Sequence, residues 1–245
     1  MPVNPYYVDI ARIFLVTFML AYASYLDIKE RRVSNRLWAI FTPFAIVLLI
    51  LDIIGREYYE IIMMIINILV VSAFGFASFY LGILGGADAK AIMVLSVMLP
   101  RWPVYTIHPM PYVPMVLDAL ILSAIIALVY FPGCLIYNVL HGELELPRGL
   151  YGIKLCRQQA LEKKDYYIPL YVVKEDGSIE FRFRMLLPPE EEIEKIWKAI
   201  EDSDLEEIWI SPGIPFIVYL FIGIAITMVY GDIIMGPILG ITVLR

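Results

Sequence analysis

Long, almost charge-free apolar runs recur along most of this 245-residue chain, and they leave it few ways to fold. A backbone surrounded by hydrocarbon must satisfy its own N–H and C=O groups, so such runs read as helices crossing a bilayer. Composition agrees: 60% of residues are hydrophobic, 18% are charged, and the mean hydropathy is +0.76. A soluble domain averages about 45–50% apolar and about 25% charged residues. A soluble globule and a disordered chain are therefore excluded. The net charge of −6 argues against nucleic acid as a partner. Cys134 in an apolar run and Cys156 in a polar one offer neither a disulfide framework nor a zinc site. The first run has no basic residues ahead of it and no small-residue cleavage site behind it, so it reads as a permanent anchor.

Six crossings are expected. A span needs about 20 mostly apolar residues. Tyr6 to Leu26 is the first, with Asp9 and Arg12 spaced to pair on one helix face. Leu37 to Ile54 and Ile61 to Leu84 are the second and third. The fourth begins after Asp88, but its purely apolar part, Ala91 to Leu99, is too short. Extending it through Arg101, Trp102 and Tyr105 gives roughly 25 Å at helical rise. Tyr112 to Leu140 is the fifth, with Pro132 a candidate kink, and Ile214 to Val229 the sixth. The last stretch, Ile233 to Leu244, is short for a seventh; whether it spans, re-enters or lies on the membrane stays open. Lys29, Arg31, Arg32 and Arg36 crowd the first loop, and Lys90 follows the third run. Ten of the nineteen Lys and Arg residues lie between runs five and six. The positive-inside rule then places the loops after runs one, three and five in the cytoplasm, with both termini outside.

The expected fold class is an α-helical polytopic membrane protein with a small α+β cytoplasmic insert between the fifth and sixth helices. Residues 1–140 form a membrane domain, 141–211 the cytoplasmic domain, and 212–245 the sixth helix with the C-terminal apolar segment. Within the insert, Tyr167 to Val173 and Ile179 to Met185 flank Lys174-Glu-Asp-Gly-Ser178, a hairpin signal. Pro188-Pro189 and Glu190, Glu191 and Glu192 open an acidic helix, with Ile193, Ile196, Trp197 and Ile200 on one face. Glu207 to Ile210 supplies a further strand. Sixteen of the twenty-five acidic residues lie in this insert, so it carries the whole net charge of −6. That acidity either attracts a basic partner or simply solvates a helix start.

Carboxylates at a membrane edge are costly and each needs a reason. Asp27 ends the first run, and Asp88 opens the fourth behind Gly85-Gly86-Ala87. Two complete crossings separate them, so both lie on the same side of the membrane. Two carboxyl groups close together share one proton. The ionised member can activate a water while the neutral one donates a hydrogen bond to a scissile carbonyl. This arrangement needs no metal and no cofactor. Glycine beside Asp88 lets an extended peptide approach. Bland readings compete: Asp88 is also a good helix cap, and Asp27 beside basic residues is an ordinary ion-paired helix end. Asp9, Asp52, Asp118 and Asp232 belong to the outer side. His108 and His141 are isolated and read as structural. Pro212-Gly213-Ile214-Pro215-Phe216 is either an irregular lead-in near the site or a plain helix start with proline inside.

Asp27-Ile-Lys-Glu-Arg-Arg-Val-Ser-Asn35 closing a first helix, with Gly85-Gly-Ala-Asp-Ala-Lys90 opening a fourth, resembles the archaeal preflagellin and prepilin peptidases. These are class III signal peptidases of the Gly-x-Gly-Asp aspartyl protease superfamily. The resemblance covers most of the chain and includes Glu207-Ile-Trp-Ile-Ser-Pro-Gly-Ile-Pro-Phe216 leading into the last crossing. It implies Asp27 and Asp88 as the catalytic pair, with Gly85, Gly86 and Lys90 supporting them. Lys90 either contacts Asp88 or marks the cytoplasmic interface. Ala87 stands where the motif has its second glycine, and Ser34 where many relatives place proline. The cysteine-rich zinc segment of bacterial relatives is absent, so no accompanying N-methyltransferase is implied. The implied substrates are type IV pilin-like precursors, archaellin or pilin, cut after a short basic leader at the cytoplasmic face of the cell membrane. Two other classes stay open: an ion- or proton-coupled transporter using the paired aspartates, and a non-catalytic scaffold for a secretion or pilus machine.

Overall fold

The first two helix starts are written in the residues just ahead of them. In the computed structural model, which describes residues 4–109, 113–143, 145–174, 177–183 and 188–236, helix α1 (Pro5–Glu30) begins behind Asn4, whose side chain accepts the Tyr6 N–H. Pro5 sits in the first turn, where its missing donor costs nothing. Arg31 closes α1 with φ 52°, and Ser34 caps α2 (Asn35–Ile53) by accepting the Arg36 N–H at 3.3 Å. Helix α3 (Tyr58–Tyr80), α4 (Gly86–Met98), α5 (Met115–Ala127) and α6 (Tyr130–Leu140) follow. Among the described residues, four stretches are long and apolar enough to cross a membrane: Pro5–Glu30, Asn35–Ile53, Tyr58–Tyr80 and Met115–Leu140. Phe14, Phe18, Leu69 and Phe76 are exposed on these helices, as expected of side chains that face lipid.

The fourth run does not continue through Tyr105 as the sequence suggests. Helix α4 ends at Met98 and is only 13 residues long, about 20 Å at helical rise. Pro100 pushes Leu99 out of the helical region, and Leu99 has φ −124° and ψ 61°. The fifth run is interrupted near Pro132, as the sequence suggests: α5 ends at Ala127 and α6 begins at Tyr130, within one 26-residue apolar stretch. Pro132 accounts for the position, since its ring clashes with the carbonyl four residues back, at Leu128. Of the last apolar stretch, residues 237–244 lie outside the described residues.

The chain forms two compact units, Met1–Ile126 with Pro215–Arg245, and Ala127–Ile214. The first is built on α1 to α5 and α10 (Phe216–Tyr230). Its core includes Met19, Leu20, Ala23, Ile92, Leu95, Leu220 and Ile224. At one end lies a buried ion network. Arg12 reaches Asp9 at 3.2 Å and Asp52 at 2.6 Å. Arg101 bonds Asp9 at 2.9 Å and Asp52 at 2.9 Å, and Arg56 bonds Asp52 at 2.6 Å. The Val104 N–H adds a bond to Asp9 at 2.8 Å. The expected Asp9–Arg12 pair is present, and the two arginines of the sparsely charged loops complete it.

The second unit contains α6, α7 (Arg148–Tyr151), β1 (Ile153–Cys156), α8 (Arg157–Glu162), β2 (Tyr167–Pro169), β3 (Tyr171–Val173), β4 (Ile179–Phe181), α9 (Glu190–Glu201) and β5 (Glu207–Pro212). Strand β5 is central in an antiparallel sheet of order β1-β5-β2, while β3 and β4 form the hairpin. The segment from Tyr167 to Val173, read as one strand, is split at Leu170. Pro169 has no N–H to continue a ladder, and the Leu170 N–H turns to the Trp209 carbonyl at 3.2 Å. Ile196, Trp197 and Ile200 of α9 pack with Ile208, Trp209 and Ile210. Cys134 and Cys156 are free thiols, and His141 stacks on Tyr137.

Removing one partner from a buried ion pair strands the other and costs about 3–5 kcal/mol. Asp52→Ala and Arg101→Ala are therefore expected to lower the unfolding midpoint of the detergent-solubilised protein sharply. Glu60→Gln, which removes a 3.4 Å contact on a half-exposed side chain, should cost less than about 1 kcal/mol. Equal losses in the three variants would show that the buried network is no stronger than a surface pair.

Candidate active site

Asp27 lies in the last turn of α1. Its carboxylate accepts a hydrogen bond from the backbone N–H of Ile217, the second residue of α10. The first N–H groups of any helix lack partners within it, so the start of α10 supplies a donor to an acid. One turn earlier on α1, the Ser24 hydroxyl donates to the Ile217 carbonyl at 3.4 Å. Both backbone groups of Ile217 are thus bound to α1. The Arg31 guanidinium also acts on Asp27 electrostatically. Asp27 Oδ2 is buried without a hydrogen-bond partner among the described residues and is an available acceptor.

Asp88 is the third residue of α4, and its Oδ2 accepts the Gly85 N–H at 3.2 Å. This is the return half of a capping box; the cap position itself is Gly85, so Asp88 is not the N-cap that its neighbours suggested. Glycine at 85 has a steric consequence. A Cβ built there would stand 3.2 Å from Asp88 Oδ2 and crowd the carboxylate. Gly86 is less constrained, since a Cβ there would meet the Phe79 ring at an ordinary 3.5 Å. Ala87, the residue that departs from the glycine motif, packs against the hydrophobic core.

Asp27 and Asp88, 61 positions apart in sequence, are close enough that the charge of one acts on the other. Each is held by one backbone N–H, from Ile217 and Gly85 respectively. Lys90 does not engage Asp88; its Nζ donates to Asn35 Oδ1 at 2.7 Å. The remaining aspartates are differently occupied. Asp9 and Asp52 are neutralised by arginines. Asp118 is completely buried, with both carboxyl oxygens unbonded among the described residues, and lies within reach of Asp232. Asp232 is spent on backbone donors, accepting the N–H groups of Ile234 at 3.0 Å and Met235 at 2.7 Å, and that of Gly236. The lead-in ending at Pro215 and Phe216 belongs to the site, because it delivers Ile217 to Asp27. That contribution comes from a backbone group, and no side-chain pattern announces it.

Two carboxyl groups within electrostatic reach of each other, with a glycine edge and an acceptor oxygen to spare, have the parts for general acid–base hydrolysis of an amide. The Type IV leader peptidase family matches residues 14–132, a stretch that includes both aspartates. The archaeal peptidase A24 C-terminus, type II, matches residues 150–233. A preflagellin peptidase of Methanocaldococcus jannaschii is 27% identical over 237 residues, covering 91% of this chain and 94% of the relative. Preflagellin peptidases of Methanococcus maripaludis and Methanococcus voltae are 24% and 25% identical, covering 87% and 90% of this chain and 92% and 95% of the relatives. Together these matches run through both units of the chain, which belongs to the type IV leader peptidase family.

Proposed function

We propose that this protein is a membrane-embedded aspartyl endopeptidase that removes the short basic leader from type IV pilin-like precursors, archaellin or pilin, at the cytoplasmic face of the cell membrane. The observation that carries this reading is the convergence of Asp27 and Asp88, each bonded by a backbone N–H and each within the other's field. Curated relatives along nearly the full length are preflagellin peptidases, which supports an archaellin precursor as substrate. In this reading the chain crosses the membrane six times, with α4 and α10 as the short crossings. Residues 141–211 form the cytoplasmic insert, and the basic first loop fixes the orientation.

The chemistry follows from the pair. The ionised carboxylate takes a proton from water as the water oxygen attacks the scissile carbonyl carbon. The neutral carboxyl donates a hydrogen bond to the carbonyl oxygen, stabilising the charge that develops there. The tetrahedral intermediate then collapses: the C–N bond breaks, and the proton taken from water passes to the leaving nitrogen. Asp27 Oδ2, buried and unbonded, is an acceptor suited to that water. Gly85 leaves the edge of Asp88 open to the substrate backbone.

Asp27→Asn and Asp88→Asn are each expected to reduce cleavage of a pilin-like precursor by about 10²–10⁴-fold in an unfolded-protein-free detergent preparation, with excess chelator making no difference to the parent. Substantial cleavage by either variant removes the mechanism, and no cleavage by the parent protein returns the transporter and scaffold readings. Gly85→Val should impair cleavage far more than Gly86→Ala, since only the first places a side chain against the Asp88 carboxylate. Comparable kcat values for the two glycine variants, both folded, would show that the close approach at residue 85 is irrelevant.

A further inference from the structure

Helix α4 is short, and its place along its neighbours needs fixing. Apolar packing is strong but non-directional, so a 13-residue apolar helix is held in axial register by its polar bonds. Towards its C-terminal end α4 is tied to α3. The Ser72 and Ser96 hydroxyls meet at 2.9 Å, and the Asn67 amide donates to the Pro100 carbonyl at 3.0 Å. Neither bond touches the segment that carries Asp27.

At the other end, the Lys90 ammonium donates to Asn35 Oδ1 at 2.7 Å. Asn35 is the first residue of α2, immediately behind the Ser34 cap and eight residues after Asp27. Lys90 is two residues after Asp88. Residues i and i+2 do not share a helix face, so Lys90 is directed away from Asp88 and towards the α1–α2 corner. This exposed, charge-assisted bond, at the short end of its class, joins α4, which bears Asp88, to the start of α2, across the corner that follows Asp27 on α1.

We propose that Lys90 and Asn35 are a positioning pair that sets the separation of Asp27 and Asp88. The proposal rests on the reading of the two aspartates as the catalytic pair. Neither Lys90 nor Asn35 touches the reacting atoms; both act by seating the start of α4 against the α1–α2 corner. A misplacement of about 1 Å in a catalytic group costs on the order of a hundredfold in rate.

Two measurements test it. In steady-state cleavage of a pilin-like precursor, Lys90→Ala and Asn35→Ala should each lower kcat by about ten- to a hundredfold and leave KM within about twofold. The double variant should be no slower than the worse single variant, because one bond is lost in all three. Lys90→Arg and Asn35→Asp, which can remake the bond, should recover most of the loss. The second measurement is independent of activity. Spin labels at Ile28→Cys and Ile83→Cys, both exposed positions, in a background of Cys134→Ala and Cys156→Ala, report the distance between the two segments. Lys90→Ala should broaden or shift that distribution. An unchanged kcat, a rise in KM alone, or an unchanged distance distribution overturns the proposal. Activity retained in Asp27→Asn or Asp88→Asn, with the label distance still responding to Lys90→Ala, would fell the catalytic reading and leave the positioning role standing.

Discussion

A charged group surrounded by apolar helices is unstable unless another group compensates it, and this constraint separates the aspartates of the first unit. Asp9 and Asp52 are compensated by charge: Arg12, Arg56 and Arg101 converge on them at 2.6–3.2 Å. Asp232 is compensated by dipoles, since three consecutive backbone donors point at it. Asp118, completely buried with both oxygens unbonded among the described residues, has the acidic Asp232 within reach. Asp27 and Asp88 are compensated lightly, with a single backbone N–H apiece, and the charge of Asp27 acts on Asp88. Retaining two lightly bonded carboxylates side by side is unfavourable for folding. It suits acid–base chemistry, where lone pairs and protons must be available rather than consumed. The same physics that makes the ion network a staple is what the proposed function draws on at the pair.

The two donors at the pair also explain how distant parts of the chain are committed to one place. Gly85 precedes the helix that bears Asp88, so that bond is local and forms with α4 itself. Ile217 lies 190 residues beyond Asp27, and its N–H is available only because α10 begins there. The start of α10 therefore serves three ends at once: it opens a helix, bonds Asp27, and receives Ser24. A shift of α10 by one residue would present a different donor. Proline at 215 suits such a position, since it restricts the chain immediately before the first helical turn.

Much of this was legible in the residues, for identifiable reasons. Apolar length marks the helices, and Asn4 and Ser34 mark their starts, because capping depends on side chains adjacent in sequence. The Lys174–Ser178 turn and the apolar face of α9 are likewise local patterns. Crossing parity alone suggests that Asp27 and Asp88 share a side. The misreadings share a cause as well. Apolar content continues past Met98 and across Leu170, but backbone geometry does not, because Pro100 and Pro169 interrupt it next to where they stand. The bonds from Ile217 to Asp27 and from Lys90 to Asn35 were illegible for another reason. One uses a backbone group common to nearly every residue, and the other joins side chains 55 positions apart.

The two departures from the family motif illustrate how structure decides what a substitution means. Ala87 stands where the motif has its second glycine, and its methyl group packs against the core. The position that borders the carboxylate is Gly85, where glycine is retained and a Cβ would stand 3.2 Å from Asp88 Oδ2. Ser34, standing where many relatives have proline, accepts the Arg36 N–H and starts α2. Proline just ahead of a helix restricts the chain by its ring, whereas serine restricts it by a hydrogen bond, and either can begin α2 at Asn35. The start of α2 matters because Asn35 receives Lys90. A helix beginning one residue later would carry that amide outside its first turn and alter the corner on which α4 is seated.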